Sequence, residues 1–423
     1  MRQVYRYVTY SLYPIFIILI YFRSFLNKED RTRFKEKIFS AHFKSRKNKD
    51  KKLVWFHAAS IGECLSVLSL IEKINNDNKN IEFLITTVTL SSSKLLERKL
   101  NQYNNIVHRF FPLDVEFLAE KFIIFWKPDL VCFVDSEIWP NFLFKIKEKK
   151  IPLLLINARI TKKTFNKWNI ILNFAKKVFS NFDLCLAASE ESKNNLSKLQ
   201  VKNLKYIGNL KYSAKNIPEE LEDANKKIFN NFKTWCAAST HNDEELIILK
   251  THLEIKKKFN NILTIIIPRH INRSSYIKNL ANKYNLTSQI LNDGDLINIS
   301  TEVLIINSFG VLAKYFNYCK NIFIGKSFVK RLENSGGQNP IEAAKLGCKI
   351  YHGPYIYNFQ EIYEHLRSHR MAEMVSDELE LAEKIIQSFE NPKIKNQLHI
   401  NLLNDYGKKI LKETALEFDR YLN

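Results

Sequence analysis

Leu53-Val54-Trp55-Phe56-His57-Ala58-Ala59-Ser60-Ile61-Gly62-Glu63 runs from a β-prone apolar segment into small residues, a glycine and a carboxylate. An amphipathic helix begins directly after it, marked by Val67, Leu68, Leu70 and Ile71. A turn at the carboxyl end of a parallel strand is where α/β sheets place ligands. Small residues there let a substrate approach the backbone. Glu63 falls in the first turn of the helix, where it suits a general base. The competing reading at this point is a plain helix-capping glutamate.

The same rhythm continues on both sides. Strands are expected at Leu53–His57, Ile81–Thr87, Leu130–Val134, Ile151–Asn157, Leu184–Ala188 and Lys205–Gly208, with amphipathic segments between them. A polar, charged stretch interrupts the pattern, and strands resume at Thr234–Ala238, Ile262–Ile267, Glu302–Ile306, Asn321–Ile324 and Lys349–Tyr351. Alternation of this kind implies parallel sheets covered by helices. Two Rossmann-like α/β domains result, over 53–212 and 233–423, joined by a linker at 213–232, with helices closing the C-terminus.

The chain has 423 residues and a net charge of +21. A basic chain meets nucleic acid, anionic membranes or phosphorylated substrates. No nucleic-acid-binding signature is present, so nucleic acid is not expected as a partner. The six cysteines are scattered through apolar runs without a CxxC pair, which favours buried free thiols over disulfides or a metal site. Residues 1–25 read as a membrane anchor. Val8 to Phe22 is apolar and aromatic, flanked by Arg6 and Arg23, and no small-residue cleavage site follows. A basic segment at 26–52 includes Lys28, Arg31, Arg33, Lys35, Lys37, Lys44, Arg46, Lys47 and Lys49. By the positive-inside rule the domains beyond it stay in the cytoplasm, with the anchor spanning or lying on the membrane.

Several further turns carry chemistry. Asp135 and Glu137, in Asp135-Ser136-Glu137-Ile138-Trp139-Pro140-Asn141, end the strand LVCFV. As paired carboxylates they suit a metal ion, the orientation of an acceptor or the stabilisation of positive charge in a transition state, or else the cap of a helix. Lys211 ends Gly208-Asn209-Leu210-Lys211 and suits an anionic sugar or phosphate. Pro268-Arg269-His270 closes ILTIIIPR, and an arginine there can clamp a phosphate. Ser308-Phe309-Gly310-Val311 is another strand-to-helix turn. Gly336-Gly337-Gln338-Asn339-Pro340-Ile341-Glu342 leads into a helix whose start suits phosphate, with Glu342 positioned for ribose hydroxyls. Its plainer reading is Asn339 as N-cap with Glu342 completing a capping box. GxGxxG and P-loop fingerprints are absent from the sequence.

In this order the motifs resemble the 3-deoxy-D-manno-octulosonic acid (Kdo) transferases of lipopolysaccharide synthesis. The likeness runs through HAASIGE, TTVT (86–89), FPLD (111–114), DSEIWPN, NARIT, GNLK, AAST (237–240), PRH, GGQNPIEAA and YHGPY (351–355). It implies a GT-B fold, with the two domains facing a cleft. It also implies inverting transfer of Kdo from CMP-Kdo to a lipid A precursor, lipid IVA, with no cofactor and no required metal. By resemblance Glu63 is the catalytic base, and Asp135, Glu137 and Lys211 support the transition state. Pro268, Arg269, Phe309, Gly310, Val311, Asn339, Pro340, Ile341 and Glu342 bind CMP. The family commonly has glycine at the position of Lys326, glutamate at that of Val311 and histidine at that of Gln338. The alternatives are a non-catalytic, membrane-associated nucleotide-sugar-binding protein, and a GT-B enzyme using a UDP-sugar.

Overall fold

The computed structural model describes residues 1–43, 50–78, 80–215, 220–392 and 397–422. The chain forms two compact units: residues 1–215 with 406–423, and residues 216–405. The first unit is built on seven parallel strands, β1 (Lys52–His57), β2 (Ile81–Thr87), β3 (Ile106–Phe110), β4 (Leu130–Val134), β5 (Leu153–Ala158), β6 (Leu184–Ala187) and β7 (Leu204–Tyr206). Their order is β3-β2-β1-β4-β5-β6-β7. The chain reverses its direction across the sheet between β1 and β4, which makes the carboxyl ends of those two strands the switch point where ligands bind in such sheets.

The second unit repeats the plan with β8 (Lys233–Thr240), β9 (Ile262–Pro268), β10 (Ser288–Leu291), β11 (Val303–Ile306), β12 (Asn321–Ile324), β13 (Lys349–His352) and β14 (Ala372–Met374). Their order is β10-β11-β9-β8-β12-β13-β14, with the switch point between β8 and β12. All eleven expected strands form, within a residue or two at their ends. Three more, β3, β10 and β14, lie at sheet edges and were not expected.

Sheet positions facing helices are fully buried. In the first unit Trp55, Phe111, Phe122, Phe133 and Phe142 form one aromatic cluster. The core of the second is mainly aliphatic, with Ile248, Ile262, Ile266, Ile277, Ile305 and Ile385 around Trp235 and Tyr351.

Two expected boundaries differ from the structure. The C-terminus does not stay with the second domain: from residue 406 the Gln397–Leu422 helix packs in the first unit. Phe418 stacks on Phe56 with ring centroids 5.7 Å apart, and Lys205 pairs with Glu417 at 2.7 Å. Gly407 meets the Tyr212 carbonyl so closely that a Cβ would stand 2.2 Å from it. The expected linker contains structure of its own, a helix at Asp223–Asn231, and its first residue, Ser213, closes the Leu210–Ser213 turn; residues 216–219 within it lie outside the described residues.

Helix α1 (Arg2–Phe25) is long and apolar enough to cross a membrane. One face is seated on the first unit: Ile20 packs with Phe34 and Ile38, and Tyr5 stacks near Phe174. The other exposes Tyr7, Ile15, Ile18, Phe22 and Phe25. In the basic segment, Lys37 is buried against Glu29 at 2.5 Å and Arg33 pairs with Glu36 at 2.9 Å. Lys44, Arg46, Lys47 and Lys49 lie outside the described residues.

Candidate active site

The first group of site residues gathers at the carboxyl edge of the first sheet. β1 ends at His57, and helix α2 (Ile61–Asp77) starts four residues later. Ser60 and Glu63 form a reciprocal capping box. Ser60 Oγ accepts the Glu63 amide at 3.3 Å, and Glu63 Oε2 accepts the Ala59 and Ser60 amides at 2.8 and 3.4 Å. Ser60 Oγ also lies 2.5 Å from Glu63 Oε1. The capping reading of Glu63 therefore holds as geometry. It does not exclude chemistry, because each carboxylate oxygen has two acceptor positions and the box fixes the group in one orientation. Glu63 is buried, and burial first, then the charge of Asp135, lifts its carboxyl above the usual range, against the opposing pull of Ser60 and Lys211.

Asp135 directly follows β4, with its backbone left-handed at φ 61°, and Asn157 is the penultimate residue of β5, at φ 50°. Asp and Asn tolerate that conformation better than most residues. The turns interlock: the Arg159 amide donates to the Asp135 carbonyl at 3.1 Å, and Asn157 Oδ1 accepts the Leu210 amide at 2.8 Å. The second of these bonds holds the turn that carries Lys211. Its ammonium reaches Asp135 Oδ2 at 3.0 Å, an ion pair with both side chains largely buried. The Lys211 stem passes 4.0 Å from where a Gly62 Cβ would stand.

Glu137 completes the group. Its Oε2 accepts the Trp139 indole N–H at 2.9 Å and lies 3.2 Å from His57 Nε2. Burial alone would raise this carboxyl, but the bonds from His57 and Trp139 hold it below the usual range. The neighbouring helix starts only at Pro140, so Asp135 and Glu137 belong to the turn and neither caps it. His57 is fully buried, with Nδ1 3.0 Å from Thr86 Oγ1 and its ring 3.9 Å from that of Phe111. Its part in this network was not foreseen; its position as the last residue of a buried strand beside an active turn is the signal that was there.

The second group sits on the second sheet's carboxyl edge. Pro268 is the last residue of β9, and the exposed Arg269 follows, its amide donating to the Thr240 carbonyl at 3.0 Å. Phe309 is exposed, Gly310 is left-handed at φ 78° in open space, and Val311 begins the short Leu312–Phe316 helix. Asn339 Oδ1 accepts the Ile341 amide at 3.2 Å, but Asn339 stands one residue ahead of the anticipated cap position, which Pro340 takes. Glu342 does not complete a box. Its carboxyl accepts the Ala313 amide instead, which ties the 309–313 turn to the 339–342 segment, and burial pushes it up to about 7. The helix from Ile341 to Lys345 has five residues, ended by left-handed Gly347. The helix start expected to meet phosphate is thus that of a single short turn.

Glu244, unremarked in the sequence, organises this edge. Fully buried, it accepts four backbone amides: His241 at 2.9 Å, Lys326 at 2.7 Å, Ser327 at 2.7 Å and Phe328 at 3.0 Å. Lys326 is left-handed at φ 61°, which accounts for glycine being the expected residue there. Gly336 and Gly353 have no room for a Cβ, which would stand 2.2 and 2.3 Å from the Tyr355 and Ser327 carbonyl oxygens. Among the described residues there is no cluster of three or more His, Cys, Asp or Glu arranged to hold a metal.

A family model described as 3-deoxy-D-manno-octulosonic-acid transferase (kdotransferase) matches residues 32–214. The 3-deoxy-D-manno-octulosonic acid transferase of Rickettsia bellii (strain RML369-C) is 32% identical over 356 residues, covering 84% of this chain and 82% of that protein. The chain belongs to the Kdo transferase family. It is thereby a glycosyltransferase. The Kdo transferase of Haemophilus influenzae (strain ATCC 51907 / DSM 11121 / KW20 / Rd) is 27% identical over 375 residues, 88% of this chain and 86% of that one. Among solved structures, a UDP-N-acetylglucosamine 2-epimerase superposes with a TM-score of 0.60 at 14% identity, over 88% of this chain and 97% of that one. This last likeness carries the two-domain α/β fold, of the GT-B kind, and no chemistry.

Proposed function

We propose that this Kdo transferase moves Kdo from CMP-Kdo to a lipid A precursor, lipid IVA, in lipopolysaccharide synthesis, with Glu63 as general base. The observation that carries the reading is the Glu63 carboxyl. It is buried, fixed by its capping box beside the Lys211–Asp135 pair at the switch point of the first sheet, and lifted above the usual range. A base works best when its pKa approaches the working pH.

The acceptor hydroxyl oxygen forms its bond to the anomeric carbon of Kdo as the bond from that carbon to the CMP phosphate oxygen breaks. Glu63 takes the hydroxyl proton, and the electron pair of the broken bond leaves with CMP. Asp135 and Glu137 place negative charge near a sugar carbon that becomes cationic, and Lys211 pairs with Asp135 and suits the Kdo carboxylate. Arg269 stabilises the departing phosphate, and Phe309 to Val311 with Asn339 to Glu342 shape the CMP pocket. The exposed apolar face of α1 meets the inner membrane, with the catalytic units on its cytoplasmic side, where the lipid acceptor is presented.

The test is mass spectrometry of lipid IVA incubated with CMP-Kdo and the purified protein. Product heavier by whole Kdo units is expected, and unchanged lipid contradicts the substrate assignment. Calorimetry with CMP and UDP separates this reading from that of a UDP-sugar enzyme.

A further inference from the structure

The Phe111-Pro112-Leu113-Asp114 motif has no part in the chemistry above, yet Asp114 is buried at a junction. The Pro140–Glu148 helix begins after Trp139 with no cap from a side chain of its own N-cap residue. Asp114 caps it from another loop: Oδ2 accepts the Asn141 amide at 3.2 Å and Oδ1 the Phe142 amide at 3.1 Å. The Asp114 carbonyl also accepts the Asn141 side-chain amide at 2.6 Å.

The third donor to this carboxyl comes from α1. Tyr5 Oη donates to Asp114 Oδ2 at 2.7 Å, and the Asn141 side-chain amide donates to Thr9 Oγ1 of α1 at 3.1 Å. Directly before the capped helix stand Glu137 and Trp139, joined by the indole bond at 2.9 Å. Trp139 packs on Phe111 with centroids 5.7 Å apart, and Phe111 stacks on His57, which meets the same Glu137 oxygen as Trp139 does. A chain of direct contacts thus runs from the docked face of α1 to the catalytic turn. Apolar contacts would suffice for an anchor; a hydroxyl aimed at a buried carboxylate that caps the neighbouring helix does more.

We propose that Tyr5 and Asp114 are positioning residues for transfer: α1, seated on the first unit, holds the start of the Pro140–Glu148 helix and with it the turn from Asp135 to Trp139. The helix is then part of the active-site scaffold as well as an attachment. This rests on the assignment of that turn to the site.

The experiment uses the full-length protein in detergent micelles, where acceptor access does not depend on membrane attachment. Tyr5→Phe removes one hydroxyl. It lowers kcat about tenfold, the loss expected for a hydrogen bond to a charged group, with KM for both substrates within about twofold. Amide hydrogen exchange rises across 135–143, while sedimentation with phosphatidylethanolamine–phosphatidylglycerol vesicles is unchanged. Asp114→Ala falls further, and Asp114→Asn recovers part of the loss. Wild-type kcat in Tyr5→Phe overturns the proposal, as does unchanged exchange at 135–143. Glu63→Gln in the same assay tests the underlying reading separately: full turnover there refutes the site assignment, whatever Tyr5→Phe does.

Discussion

The carboxyl edges of the two sheets are built by opposite means. On the first, side-chain pairs predominate: Lys211 with Asp135, Glu137 with His57 and Trp139, and Ser60 with Glu63, whose carboxylate also takes two backbone amides. On the second, one buried carboxylate, Glu244, gathers the backbone amides of two turns, and glycines let carbonyls come closer than any Cβ allows. The residues proposed to meet CMP there, Arg269 and Phe309, stand exposed on that backbone frame. The difference fits a division of labour. Moving a proton needs a charged group in a fixed, partly dry position. Holding a large polar ligand needs a rigid backbone surface with side chains free to reach it.

The comparison predicts where each edge is most easily damaged. Glu244→Ala carries the largest effect, because four amides lose their acceptor. Thermal unfolding is expected to show destabilisation of about 4 kcal/mol or more, with loss of CMP affinity; a drop below about 1 kcal/mol would mean the second frame does not depend on it. Lys211→Ala comes next. It strands a buried carboxylate beside Glu63, at about 3 kcal/mol, and transfer falls further than stability alone explains. Lys211→Arg is expected to restore part of both.

Two smaller effects depend on pH. The Glu342 carboxyl, pushed up to about 7, is protonated in the fold while it is ionised in the unfolded chain. The stability it lends is therefore present below the usual glutamate range and lost as pH rises through about 7. Glu342→Gln, which stays neutral, is expected to raise Tm by a few degrees at pH 8 and by little at pH 5. An equal change at both would contradict the shift. On the first edge, Asp135 is one cause of the raised Glu63 carboxyl. Asp135→Asn should move the acid limb of kcat/KM to lower pH, because the group that must be ionised loses its proton more readily.

Most of the framework was legible because buried parallel strands announce themselves as continuous apolar runs, and turns follow them. The three unexpected strands are edge strands. β3 alternates around His108 and Arg109, β10 is mostly half-exposed, and β14 has three residues, so none offers a long apolar run. Glu63, Asp135, Glu137 and Lys211 of the first edge were singled out in the sequence, but not the part of His57, nor the pairing of Lys211 with Asp135, which joins turns 76 residues apart. Glu244 was invisible because three of its four partners are backbone amides more than 80 residues away, and amides have no residue signature. The return of the C-terminal helix to the first unit was equally hidden: it rests on the stacking of Phe418 on Phe56 and on Gly407 lying against Tyr212, and nothing local marks such contacts.

The central claim concerns Glu63, and one measurement addresses it most directly: the single-turnover rate of Kdo transfer from CMP-Kdo to lipid IVA by Glu63→Gln, with CMP affinity measured on the same protein. The amide preserves the shape of the capping box but cannot accept a proton. The account predicts a rate at least about a thousandfold lower with CMP affinity unchanged. Transfer within about tenfold of wild type would show that another group takes the acceptor proton.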